Sequence, residues 1–390
     1  MAQDVPDRLR AVVLLALQLG ITAFGGPAAH IAMLRDHAVS RRRWLSDQEF
    51  LDLMGITNLI PGPNSTEMVM HVGYRRAGWR GLVFAGAAFI LPAATITLLF
   101  AWAYVRFGAT PEGEWILRGI KPVVLAVILQ AVWKLGGTAV KNKRLAALGV
   151  AVFVLYLLGI NEIVLLFGSA LVVAGSEWLS KRTSRIAGQP PTVALFPFPL
   201  LLGVHTLAQN VDASIPYSGM RLFIGFLKIG SFLYGSGYVL VAFLQNEFVE
   251  HLGWITEQQL LDAVAVGQFT PGPVFTTATF VGYLAGGVPG AVIATVGIFL
   301  PAFIFVAIIH PFMPRLLGAT WIRPLLDGIN VAAIGLMAAV SLILARDAII
   351  DPWTALIAIG ALVLLVRFNV NSAILIVAGA ALSGGWSLLA

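Results

Sequence analysis

The sequence predicts an all-α, polytopic membrane protein built from two inverted repeats, with about ten transmembrane helices and two re-entrant Pro-Gly-Pro helical hairpins. Three observations predict it. Hydrophobic residues make up 58% of the chain and charged residues 11%, against roughly 25% charged in soluble domains. The second half overlays the first at an offset of 210 positions. "LIPGPNST" (Leu59–Thr66) and "FTPGPVFTTAT" (Phe269–Thr279) place the same helix-breaking triplet in apolar surroundings in each half.

Runs such as Leu82–Val105, Leu145–Ile160 and Ile163–Leu179 are nearly free of charge. They approach or exceed the ~20 apolar residues that a spanning helix needs, and helices satisfy their own backbone in lipid. The acidic start at Asp4 and Asp7 is a poor match to a signal peptide. The net charge of +6 reads as basic loops on the cytoplasmic face, not as nucleic-acid binding. The absence of cysteine excludes disulfides and thiolate metal sites.

The repeat divides the chain into a first unit (1–185), a basic, Pro-rich linker (186–220) and a second unit (221–390). Gly20, Trp44, Gln48, Asp52 and Pro61–Pro63 meet Gly230, Trp254, Gln258, Asp262 and Pro271–Pro273. After a slip of one residue, Gly73, Gly81 and Pro92 meet Gly282, Gly290 and Pro301.

Each unit opens with a Gly-interrupted helix (about 10–34 and 222–244). A short helix follows, started by a capping box at Ser46/Glu49 and Thr256/Gln259. Pro-Gly-Pro then separates it from a second short helix. Two helices of ~14 residues span only ~21 Å each, so the pair is expected to dip into the membrane and return. About four longer spans complete each unit.

Arg41–Arg43 and Arg75, Arg76 and Arg80 flank the first hairpin, whereas Glu247, Glu250 and Glu257 precede the second. Positive charge marks the cytoplasmic side. The hairpins are therefore expected to enter from opposite sides, with five crossings per unit and the N-terminus outside.

Inverted repeats with interrupted helices are typical of secondary transporters. Pro61 disfavours helix at Ile60, Gly62 permits the turn and Pro63 suits the first position of a new helix. Amides after the turn are then free at a positive helix end, which favours anions. This makes Pro63, Asn64, Ser65 and Thr66, with Pro273, Thr276 and Thr277, candidate anion-binding residues. Gly25 and Gly26, with Gly235, Ser236 and Gly237, sit at the breaks of the first helices and are candidates for the same cavity. Glu67, His71, His30, Asp52 and Asp262 are candidate proton carriers, since ionisable groups in a membrane are functional candidates by default.

The stretches "AFGGPAAHIAML", "IPGPNSTEMVMHVGYRRAGWRG", "YGSGYVLVAFLQNEFV" and "VGQFTPGPVFTTATFVGYLAGGVPGA" resemble both halves of two-domain members of the chromate ion transporter family. The resemblance covers nearly the whole chain outside the linker. It implies an inner-membrane exporter of chromate that confers resistance and draws on the proton motive force. The expected partners are the oxyanion, a coupling proton and the lipid bilayer, with a homodimer left open; no cofactor, metal or nucleic acid is expected. No Gly-x4-Gly-Lys-Ser/Thr loop for ATP is present. Sulfate or another oxyanion, and a passive anion channel, remain alternatives. So does an intramembrane phosphatase, because Pro-Gly-Pro-Asn-Ser partly resembles the loop of undecaprenyl pyrophosphate phosphatases, without its arginine.

Overall fold

The computed structural model describes residues 5–24, 26–108, 110–186, 216–234, 237, 239–313 and 322–387. The linker lies almost wholly outside the described residues, as do Gly25, Gly235 and Ser236. Everything described is helix, turn or loop, with fourteen α-helices and no strand among the described residues.

The first helix is interrupted as expected: α1 (Val5–Thr22) gives way to α2 (Gly26–Arg35), which ends in a π-helical turn, Asp36–Arg41. The capping box opens α3 (Asp47–Thr57): the Ser46 hydroxyl accepts from the Glu49 amide, and the Glu49 carboxylate accepts from the Ser46 amide. Those Ser46 donors, with the Arg75 guanidinium, hold the Glu49 carboxyl below the usual carboxylate range. The Arg75–Glu49 pair ties the start of α3 to the end of the first segment of α4 (Asn64–Phe107).

Helix α4 is two helices joined at a break, Ala77–Gly78, where Gly78 has φ +61°. Helices α5 (Pro111–Ala139), α6 (Lys143–Leu157) and α7 (Glu162–Ile186) follow.

The second half repeats the plan. Helices α8 (Gly219–Phe232) and α9 (Leu240–Leu244) form the interrupted pair, again followed by a π-helical turn, Gln245–His251. A Thr256/Gln259 capping box starts α10 (Glu257–Phe269). A 3-10 turn, Val274–Thr276, leads into α11 (Thr277–Ile309), which breaks at Gly286–Gly287 with φ +62° at Gly287. Helices α12 (Ile322–Ala348), α13 (Pro352–Phe368) and α14 (Ser372–Ser387) close the chain.

The two halves are pinned through their breaks. The Gly62 amide donates to the Leu233 carbonyl at 2.8 Å, and the Gly272 amide donates to the Ala23 carbonyl at 3.1 Å. Each Pro-Gly-Pro turn thus satisfies a carbonyl released by the interrupted helix of the other half. Gly62 (φ +139°) and Gly272 (φ +87°) hold backbone conformations that disfavour a side chain.

Helix α1 packs along α4, α8 along α11, and α4 against α11. Close approach is through small residues: a Cβ on Gly20 would meet the Phe89 carbonyl oxygen at 2.6 Å, and one on Gly230 the Ile298 carbonyl oxygen at 2.3 Å. Helix α12 packs on α5, α6 and α7.

Among the described residues, five helical stretches are long and apolar enough to cross a membrane: 64–107, 113–139, 162–179, 274–312 and 322–348. Leu91, Leu99, Val150, Leu171, Leu356 and Ile374 are each more than half exposed. So much apolar surface over so many helices is costly in water and suits a lipid-facing belt.

Candidate functional site

A cavity of about 380 Å³ lies where the breaks converge. Pro63, Asn64 and Ser65 from the first Pro-Gly-Pro turn line it, with Val274 and Phe275 from the second. Pro27 and Gly237, at the interruptions of the first helix of each half, complete the contribution of the irregular backbone. The amides of Asn64, Ser65, Val274 and Phe275 have no acceptor among the described residues. This follows from local sequence, since a helix leaves its first N–H groups unpaired and proline supplies no capping side chain. Asn64 Nδ2 donates to Asn58 Oδ1 at 2.8 Å, which fixes the side chain beside the turn.

The sequence-based candidates divide here. Pro63, Asn64, Ser65 and Gly237 line the cavity; Gly26, Thr66, Pro273, Thr276 and Thr277 are not among its lining residues. The threonines were expected to donate to an anion, and two of them are otherwise engaged. Thr276 Oγ1 donates to the Pro273 carbonyl at 2.9 Å and Thr277 Oγ1 to the Val274 carbonyl at 2.8 Å. The amides of Thr66 and Thr276 bond the carbonyls of Pro63 and Pro273. Buried polar groups need partners, and the start of α11 supplies them for Thr276 and Thr277, whereas the buried Thr66 hydroxyl has no partner among the described residues.

Residues that the sequence did not single out also line the cavity: Asn58, Thr138, Lys141, Asp327 and Asn330. Lys141 Nζ lies 2.7 Å from Asp327 Oδ1, linking the loop just after α5 to the start of α12. The only advance signal for Lys141 was its place in the basic run Lys141–Arg144.

The proton candidates are scattered. His30 is buried, with Nε2 2.9 Å from the Ala23 carbonyl that also accepts from Gly272. His30 therefore helps to hold the break. Glu67 is fully buried, and neither carboxyl oxygen has a partner among the described residues. It lies against the first turn, where a Cβ on Gly62 would meet Glu67 Oε1. His71, one turn along α4, has Nδ1 2.8 Å from His310 Nδ1, and the Tyr74 ring lies 4.2 Å from that of His310. His310 was not anticipated. Asp52 accepts from Gln48 Nε2 at 2.8 Å on a half-buried face of α3. Asp262 is 1% exposed and accepts from the Tyr104 hydroxyl at 2.9 Å, with Lys121 Nζ at 3.7 Å.

Long apolar helices with lipid-suited faces and a polar cavity at interrupted backbone define a multi-pass helical membrane protein. The chain belongs to the chromate transporter family, matching it over residues 10–174 and again over 220–384. It is 33% identical over 382 residues to the chromate transport protein of Cupriavidus metallidurans, covering 96% of this chain and 92% of that one. It is likewise 33% identical over 334 residues to the chromate transport protein of Pseudomonas aeruginosa, covering 85% of this chain and 79% of that one. A probable chromate transport protein of Synechococcus elongatus is 30% identical over 363 residues, covering 89% of this chain and 87% of that one. No solved structure matches the chain.

Proposed function

We propose that this chain is a secondary transporter that exports chromate, a tetrahedral dianion, across the inner membrane in exchange for protons, and so confers chromate resistance. One observation carries the reading. Both post-Pro-Gly-Pro helix starts, with unpaired amides, line a single cavity. Each start contributes about half a positive charge, so the cavity offers a dianion roughly one compensating charge and several donors without a deeply buried lysine. Lys141 adds a formal charge, and its pairing with Asp327 neutralises that carboxylate until an anion takes its place.

Alternating access is supported by a second cavity of about 680 Å³, lined by Glu114, Lys121 and Asp347. Lys121 and Thr138, which line the second and first cavities, lie on α5, and Asp327 and Asp347 on α12. Each pair is about seventeen to twenty residues, or ~25–30 Å, apart along its helix. The cavities therefore occupy opposite ends of the molecule, and only the first is lined by the helix starts. With the basic Lys141–Arg144 run cytoplasmic, this conformation faces inward.

About ten crossings in two inverted units, each with a re-entrant hairpin, fit the same arrangement. The five long spans are joined by the shorter apolar helices and the two interrupted pairs.

Everted membrane vesicles energised by a proton gradient are expected to accumulate radiolabelled chromate. A variant carrying Pro63→Ala and Pro273→Ala should lose at least nine-tenths of that uptake. Equal uptake by wild type and variant would refute the site, and full inhibition by sulfate at equal concentration would reassign the substrate.

A further inference from the structure

We propose that Asp262 carries the coupling proton, taking it from the second, outward-facing cavity, and that Tyr104 and Lys121 position it. The proposal deepens the transport reading above and rests on it. Asp262 lines that cavity although its side chain is almost wholly buried. Oδ2 accepts from the Tyr104 hydroxyl and lies within ion-pair distance of Lys121, whereas Oδ1 has no partner among the described residues. A proton from cavity water can therefore settle on Oδ1 without displacing an existing hydrogen bond.

The arrangement spans the halves. Asp262 belongs to α10 of the second half, while Tyr104 and Lys121 belong to α4 and α5 of the first. The ionised carboxylate ties α10 to both helices. Once protonated, it no longer offers Lys121 a negative partner within ion-pair distance, and the tie loosens. Because α10 leads directly into Pro271–Pro273, loosening it frees the second helix start to move.

Other ionisable groups facing this cavity are Glu114 and Arg118 from α5 and Asp347 from α12. Arg118 is paired with Asp351, and α14, which also packs on α10, carries no ionisable side chain.

The remaining candidates are placed less well. His30 bonds a backbone carbonyl, Asp52 bonds Gln48, and neither Glu67 nor His71 lines either cavity. The first half has no second copy of the device, because the position matching Tyr104 is Met313, which cannot donate.

The test uses the full chain reconstituted in liposomes containing a pH-sensitive dye, with an imposed chromate gradient and protons counted per chromate moved. Wild type should move protons with chromate. In Asp262→Asn, which keeps an oxygen for Tyr104, protons per chromate should fall at least tenfold while chromate-for-chromate exchange stays measurable. Asp262→Glu should restore proton movement. Tyr104→Phe and Lys121→Gln should retain it at an altered rate.

Wild-type proton counts in Asp262→Asn would overturn the proposal. So would loss of exchange in both Asp262 variants, which would make the residue a scaffold element. Wild-type chromate movement without protons would also overturn it. If wild type moves no chromate at all, the transport reading itself fails, and this proposal with it.

Discussion

At the cavity, a lysine amine sits 2.7 Å from the Asp327 carboxylate, so an entering dianion must displace that carboxylate or be repelled by it. The two side chains are therefore expected to act in opposite directions. Lys141→Gln should raise the KM for chromate about threefold, and Asp327→Asn should lower it by a similar factor, with little change in kcat. The size follows from the Lys141 side chain being 57% exposed, since exposed ion pairs contribute only ~0.2–1 kcal/mol. Initial-rate measurements over a chromate series check this; KM values that move in the same direction would show that the pair only braces α5 against α12. Neither residue was legible as a site in the sequence. They lie 186 positions apart, and Lys141 reads there as one charge in a basic loop. Thr276 and Thr277 erred the other way. Their hydroxyls looked available because sequence pattern does not reveal that they turn back onto carbonyls of their own helix start.

The breaks between elements were the most legible part of the chain, because Pro and Gly act on the backbone at the position where they stand. The capping boxes, the interrupted first helices and the Pro-Gly-Pro turns fall where the residues place them. What could not be read was the partner of each break, since the Gly62–Leu233 and Gly272–Ala23 bonds join segments far apart in sequence. Packing across the second break is equally specific. The two segments of α4 meet at Gly73 and Gly81, where a Cβ on Gly81 would lie 2.0 Å from the Gly73 carbonyl oxygen. Helical Gly136 and Gly137 have nothing within 4 Å of an added Cβ. Gly81→Ala is therefore expected to lower the melting temperature in detergent sharply or to abolish accumulation, because a backbone carbonyl cannot yield as a side chain can. Gly136→Ala should be neutral, or stabilising by up to about 1 kcal/mol through helix propensity. Equal melting temperatures for the two variants would contradict the packing across the Gly78 break.

Over the whole molecule, two contacts between the halves lie toward opposite ends of the long helical segments. Beyond its break, α4 runs from Gly78 to Phe107, and α11 runs from Gly287 to Ile309. His310, just past the end of α11, reaches His71 in the short segment that precedes the Gly78 break. Tyr104, near the end of α4, reaches Asp262 in α10, the short helix that leads to the second turn. The end of each long segment thus meets a short helical segment flanking the Pro-Gly-Pro turn of the other half. Such pairing is expected if the long segments run antiparallel and the halves are inverted; halves in the same orientation would put both ends, and both breaks, on one face. The cysteine-free sequence makes this directly testable. Trp79 and Val288 occupy matching positions just after the two breaks, and both are more than half exposed. A membrane-impermeant maleimide should label Val288→Cys in right-side-out vesicles and Trp79→Cys in everted ones. Labelling of both from the same side would put the helix starts of the two halves in the same orientation, and rocking one half against the other could then no longer carry an anion from one compartment to the other.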